Sequence, residues 1–405
     1  MAAQTLPTLK SFDLEPLLGL PAVLRLTGAE LSALVATTHT NPQSGTDLAN
    51  ACMQMFYVFM ALGQDAAALD MQGHALKLQK FYRIAAAPNP RIHLLALMAP
   101  GNMLDNTPLD FVVEGSSISL TLAYLDVHAE ASGLFPGPLP EHDVLFVAIG
   151  ESEKHRALLR RLAPCLTQWP RPVVNAPLQI LQCAREKSYA LIQGIPGLLY
   201  PQTRPLTPMD HQRLTGPNPG PFDLQFPATV RPADTHGGNG LQRVDSLDAL
   251  KEYLAGSKAR DHVLAAFVDY RSKDGYFRKM RIVLIDGEPF LCHLAISDHW
   301  VVHYQTAGMD KSEAKRAEEA RLMQNFDAEF VPRFRGPLGA LAKALQLDYV
   351  TVDCAELPDG RLLVFEVDSR GLIHASDPLD LYPYKPAAMQ RAFNAFEAML
   401  QRRLR

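Results

Sequence analysis

The spacing of apolar residues changes character at Pro88-Asn89-Pro90, and this change limits the chain more than any other feature. Before it, Leu48, Cys52, Met55, Phe56 and Phe59 form one stripe, and Ala68, Met71, Ala75, Leu78 and Tyr82 form another. Both follow the three-and-four spacing of amphipathic helices. After it, apolar runs are of strand length: Ile92 to Met98, Ser117 to Tyr124, Asp143 to Gly150 and Val173 to Asn175, with a helix expected from Glu153 to Leu162. Proline ends the helical pattern because it lacks the N–H and its ring clashes with the preceding turn. Strands alternating with helices predict a mostly parallel, doubly wound sheet. The expected fold class is therefore α/β, with an N-terminal helical cap.

Thr27-Gly28-Ala29-Glu30 has the spacing of a capping box before Leu31, Leu34 and Val35. The run from Leu62-Gly63 through Ala68-Leu69 to Ala75-Leu76-Lys77-Leu78 resembles one tetratricopeptide unit. No second copy follows, and such units stack in threes or more. A plain helical hairpin capping the next domain fits equally well. The helices are dominated by apolar stripes and are expected to be non-catalytic, either packing on the core or offering a surface for a protein partner or a homodimer.

The 405 residues suffice for two or three domains. The net charge is -4 and there is no long basic run, which argues against nucleic acid. Cys52, Cys165, Cys183, Cys292 and Cys354 form no C-x-x-C pair, so neither a disulfide framework nor a structural zinc site is expected, and a cytoplasmic location fits. Met1 to Lys10 lacks the pattern of a signal peptide. The longest apolar run, Met55 to Leu62, is too short to span a membrane.

Seven prolines between Pro201 and Pro227 predict an irregular or extended segment. Strands resume at Ala228 to Val230, Val263 to Tyr270 and Met280 to Ile285, and helices are expected at Lys311 to Asn325, Leu338 to Leu345 and Pro386 to Arg403. Tyr349 to Leu357 and Leu362 to Val367 read as strands joined through Pro358-Asp359-Gly360. Leu362, Val364, Glu366 and Asp368 then share one face, and Leu363, Phe365 and Val367 the other. With four unpaired residues in the turn, Asp353 lies across from Glu366; a one-residue change breaks that register. Three converging carboxylates would repel one another without a cation, and an oxygen-rich site suits Mg²⁺.

Arg231 to Gly240 carries His236-Gly237-Gly238-Asn239-Gly240 after a strand, and Leu241 to Val244 reads as a strand returning. Glycine-rich loops bring backbone N–H groups close to phosphate. Neither a P-loop nor a Rossmann turn is present. In order along the chain, Asn175 to Ile180, Arg185-Glu186-Lys187 through Gly194-Ile195-Pro196, Pro201-Gln202-Thr203, Arg231-Pro232 with the glycine loop, Ala266 to Tyr270, Lys279-Met280-Arg281, Asp353, and Glu366-Val367-Asp368 follow. Together they resemble the ATP-grasp superfamily, nearest its glutathione-synthetase-like and ribosomal-protein-glutamate-ligase-like branch. The resemblance covers about residues 90 to 385. Arg231 stands where Lys is common, Asp368 where Asn is usual, and Lys279 where an acid is common.

The helical region at 1–89 lies outside it and is read from the apolar stripes; the resemblance implies a doubly wound pre-ATP-grasp domain at 90–185, and a two-lobed ATP-grasp domain with a central lobe at 186–262 and a C-terminal lobe at 263–405. It implies ATP and two Mg²⁺ ions as cofactors, and a ligase that joins a small carboxylate to an amine through an acyl phosphate, with a peptide among the candidate substrates. The metal ligands would be Asp353, Glu366 and Asp368. Arg231 and Arg281 would contact the phosphate or acyl phosphate. His236, Gly237, Gly238 and Gly240 would cover the phosphates, Phe267 and Val268 would flank adenine, and Asp269 would accept a ribose hydroxyl. His293, Trp300, His303, Arg370 and His374 are candidate substrate ligands; packing roles for His293 and Trp300 fit as well. Alternatives are an inactive nucleotide-binding scaffold and a small-molecule kinase of the same fold.

Overall fold

The computed structural model describes residues 7–38, 44–130, 133–216, 225–233, 235 and 237–405. The chain is a mixed α/β protein, and its first sheet has six strands. In spatial order these are β2 (Pro16–Leu17), β3 (Phe81–Ile84), β5 (Ile118–Tyr124), β4 (Ile92–Met98), β7 (Val144–Val147) and β8 (Val173–Val174). Strands β5, β4, β7 and β8 are parallel, and the chain leaves β4 first to one side and then to the other. The sheet is doubly wound, as expected. A two-stranded pair, β1 (Leu9–Lys10) with β6 (Leu139–Pro140), lies apart from it.

The cap consists chiefly of helices Gly28–Thr38, Gly45–Ala61 and Asp65–Leu78. The capping box forms: the Thr27 N–H donates to Glu30 Oε2 at 2.8 Å and the Glu30 N–H to Thr27 Oγ1 at 3.3 Å. Part of each helical stripe is buried as expected, at Met55 and Phe56 and at Ala68 and Ala75, but other positions depart. Leu48 and Leu78 are exposed, whereas Met53, Gln54 and Gln72 are buried. The two amides are inside because they satisfy backbone groups: the Leu18 N–H donates to Gln54 Oε1 at 2.9 Å, and the Gly101 N–H to Gln72 Oε1 at 2.8 Å. Tyr82 lies on β3 rather than on a helix. The hairpin does act as a cap, but nothing beyond that supports the tetratricopeptide likeness. Its Met53 and Phe56 share one core with Leu94 and Phe146 of the sheet and with Phe396 and Met399 of the helix Lys385–Arg403.

The second sheet is antiparallel, in the order β10 (Thr203–Leu206), β13 (His262–Ala266), β11 (Ala228–Pro232), β12 (Gln242–Val244). It has a small core of its own, including Leu206, Val230, Leu250 and Leu264. The third sheet runs β15 (Glu288–Ser297), β14 (Phe277–Ile285), β16 (Tyr349–Glu356), β17 (Leu362–Asp368), β9 (Leu198–Leu199). Strand β15 is a finding, because its Pro289 discourages a strand reading; the proline is tolerated because β15 is the sheet's edge. The helix expected from Leu338 begins earlier, at Val331, with Pro332 in the first turn where no N–H partner is needed. Residues 200–202 and 267–276 carry the chain between the second and third sheets, which bound a cleft between them.

Candidate active site

One row of residues crosses four strands of the third sheet. His293 of β15 pairs with Arg281 of β14, Arg281 with Asp353 of β16, and Asp353 with Glu366 of β17. The turn between β16 and β17 leaves 357–361 unpaired, one residue more than the four that would align these acids. A bulge makes up the difference: Cys354 pairs with Val364 and Asp353 with Glu366, so Phe365 is the extra residue. A second bulge leaves Cys292 unpaired beside His293. Bulges re-aim side chains, and here two of them border the row. The bulge also changes which face is which. Leu363, Phe365 and Glu366 all line the cleft, so the expectation that Phe365 points away from Glu366 is corrected.

The acids do not stand against one another unshielded. Arg281 grips Asp353 with two parallel bonds, Nε to Oδ1 at 2.8 Å and Nη2 to Oδ2 at 3.0 Å. Lys279 Nζ lies 2.7 Å from Asp353 Oδ2. Burial alone would raise the Asp353 carboxyl, but the two cations outweigh it and hold the group well below the usual carboxylate range. Arg185 Nη2 donates to Glu366 Oε2 at 2.8 Å, and Arg370 Nε lies 3.4 Å from Asp368 Oδ1. The expected repulsion is thus answered by protein cations. Among the described residues, no group of three or more His, Cys, Asp or Glu side chains could hold a metal ion. Glu366 and Asp368 are hard oxygen donors facing one cavity and fit Mg²⁺ chemically. Asp353, with both oxygens held by cations, does not fit as a ligand in this arrangement.

Two cavities meet at Glu366, the end of this row. One lies between the second and third sheets and is largely apolar, with Tyr200, Phe267, Val268, Trp300 and Phe365 in its walls. The other, called the polar cavity after its charged groups, holds Arg281, Asp353, Glu366, Asp368, Arg370 and Lys385 together with the apolar Val302, Leu372 and Ile373. Gly237, Lys279, His303 and Glu366 line both. Of the expected substrate ligands, His293, His303, Arg370 and His374 come together in the polar cavity, whereas Trp300 lines the apolar one, edge-on to Phe267 at 5.4 Å. His293, His303 and His374 all have lowered pKa values, because burial disfavours the charged ring and nearby cations add to it, with Asp377 opposing at His374.

The glycine loop arches over the junction. Gly237, Gly238 and Gly240 all have positive φ, and a Cβ on Gly238 would sit 3.1 Å from Val301. Gly237 and Gly238 reach the cavities; Gly240 instead accepts from the Tyr253 hydroxyl at 2.6 Å. His236 lies outside the described residues. Asp269 is exposed and accepts the Arg271 N–H at 3.0 Å, so it takes no part in the cleft wall. Arg231 lines the apolar cleft, and both it and Arg185 donate to the Thr235 carbonyl. Burial first, and Arg185 second, push the Arg231 guanidinium down to about 10. The two guanidinium groups stand together on the Thr235 carbonyl.

No family model matches the chain, and no curated protein matches it. Among solved structures it is similar to the D-alanine-D-alanine ligase from Coxiella burnetii at 12% identity and a TM-score of 0.47, over 78% of this chain and 95% of that one. It is also similar to VanG D-Ala:D-Ser ligase from Enterococcus faecalis, at 11% identity and a TM-score of 0.44, over 76% of this chain and 99% of that one. A third likeness is to a RimK domain ATP-grasp protein from Sphaerobacter thermophilus, at 13% identity and a TM-score of 0.40, over 76% and 99%. At these scores the functional reading rests on the chain's own geometry.

Sequence reasoning missed two cations of the site. Arg185 opens the helix Arg185–Ile192 and joins Ala233 O, Thr235 O and Glu366. Lys385 is 2% exposed, yet it lines the polar cavity, pairing with Asp377 at 2.9 Å and lying 4.0 Å over the Tyr304 ring. A lysine followed by proline at a helix start gave no signal of burial.

Proposed function

We propose that the chain is an ATP-grasp ligase that uses ATP to join a carboxylate to an amine. The observation that carries this reading is the row His293–Arg281–Asp353–Glu366 along the wall of the polar cavity, with Glu366 at its end also lining the apolar cleft. The apolar cleft suits a nucleoside, with Phe267 and Val268 beside the base. The triphosphate would run beneath Gly237 and Gly238 towards Arg185 and Arg231. The polar cavity would take the two groups to be joined. Transfer of the γ-phosphoryl to the carboxylate oxygen releases ADP. Attack of the amine on the activated carbonyl carbon then releases phosphate and forms the amide.

Such chemistry depends on positioning and on charge neutralisation. Arg281, fixed by Asp353, would present an oriented cation at the junction. Arg185 and Arg231 would neutralise phosphate, and the loop would exclude water from the activated acid. Glu366 and Asp368 would hold Mg²⁺, which when bound supplies further positive charge to the phosphate oxygens. No helix of the described residues is long and apolar enough to cross a membrane. The five free cysteines, four of them buried, suit the cytoplasm.

The test is phosphate release from ATP across a panel of acids and amines, with mass spectrometry of products. An amide product is expected. A stable phosphorylated acid without an amide would make the chain a kinase, and nucleotide binding without phosphate release would make it a scaffold.

A further inference from the structure

The loop after β4 separates two cavities of opposite character. Met103 and Leu104 line the polar cavity beside Asp368 and Arg370. On its other side Met103 also lines a small apolar pocket bounded by Phe56, Tyr57 and Met60 of the cap and by Leu109. Leu104 is 57% exposed. A lone exposed leucine on an open surface needs no explanation. This one stands in the wall of the cavity that holds the charged row, on the same lining as Met103, Leu372 and Ile373.

The loop is built to hold that position. Gln72 bonds both backbone groups of Gly101, donating to its carbonyl at 2.9 Å and accepting its N–H at 2.8 Å. Asn106 does the same for Ala99, at 2.8 Å each way. Asp105 accepts the Asn102 N–H at 3.0 Å. Gly101 has φ of +152°, and a Cβ there would lie 2.0 Å from Asp105. From the site side, Arg370 Nη1 donates to the Leu104 carbonyl at 2.5 Å while its Nε lies 3.4 Å from Asp368. The same arginine therefore sets the height of the apolar wall and touches an acid of the site.

We propose that this loop is the specificity wall of the ligase site, and that one of the two joined substrates carries a hydrophobic side chain seated against Met103 and Leu104. The inference rests on the ligase reading and narrows its substrate class. Methionine is unbranched and adapts to different shapes, so Met103 suits a range of apolar chains.

Free amino acids carry both reacting groups, so leucine, phenylalanine, glycine and aspartate serve as probes. In the full chain with ¹³C-methyl methionine, the Met103 signal, assigned through Met103→Leu, should shift on addition of leucine or phenylalanine and stay still with glycine or aspartate. Phosphate release should favour leucine over glycine by about tenfold or more, the discrimination a few methylenes provide. Leu104→Asp should abolish that preference with the KM for ATP unchanged. An unmoved Met103 signal, or a preference unaltered in Leu104→Asp, would overturn the inference. A Met103 shift with no phosphate release from any probe would uphold the apolar subsite and overturn the ligase reading.

Discussion

Asp353 is the residue whose role changes most between sequence and structure. Its place across from Glu366 was expected only for a turn of four unpaired residues; the turn has five, and the pairing holds because a bulge restores it. Its partners were not legible, because Arg281 and Lys279 lie more than seventy residues away and β14 reaches it only through tertiary pairing. Asp353→Asn should therefore destabilise the protein even without magnesium. Removing one partner from a buried ion pair costs about 3–5 kcal/mol. Urea unfolding in EDTA measures this; unchanged stability would return Asp353 to the role of a metal ligand alone. Glu366→Gln keeps size and removes the charge. Turnover should fall by about 10²–10³, the loss usual for one electrostatic contact to a transition state. ATP affinity should fall less. Matched circular dichroism together with near-wild-type turnover would sink that assignment.

At the scale of elements, the bulge in β17 lets neighbouring residues share the cleft. Phe365 packs at 4.9 Å from the Tyr270 ring, and Lys279 lies 5.8 Å over its face. Phe365→Ala should weaken ATP binding by roughly tenfold, about 1.4 kcal/mol, with Glu366 left in register. Equilibrium titration with a fluorescent ATP analogue tests this, and unchanged affinity would place the base elsewhere. In the glycine loop, Gly238→Val puts a β-branched residue at a φ of +80° and against Val301. The strain of such a residue is of order 1–3 kcal/mol. Both ATP affinity and turnover should drop, and if both are unchanged the loop does not close over phosphate. The loop's glycines announced themselves in the sequence. The bulges did not, since an extra residue in a strand leaves no periodic mark until its partner strand is known.

At the scale of the molecule, the strand–helix alternation that marks the first sheet could be read directly, because parallel strands buried on both faces are nearly continuous apolar runs. The cap was harder to read. Its buried glutamines break the apolar stripe, and they are inside only because distant backbone groups need them. Deleting the cap now looks less harmless than its lack of catalytic groups suggests, because its side chains fill the core of the first sheet. Met53 is wholly buried, and Met53→Ala should cost about 2–5 kcal/mol. A single denaturation transition at lower denaturant is expected; a separate early transition would mean that the cap folds by itself.

That shared core has a consequence for synthesis. The helix Lys385–Arg403 places Phe396 6.1 Å from Phe146 of β7, a residue made 250 positions earlier, and its Met399 belongs to the same core. On the ribosome, β4, β5 and β7 emerge long before the helix that completes their packing. The nascent chain carries an unfinished apolar face through most of its translation, when unpaired hydrophobic surface invites aggregation. Ribosome-bound chains stalled before residue 385 should engage chaperones more than chains released with that helix in place.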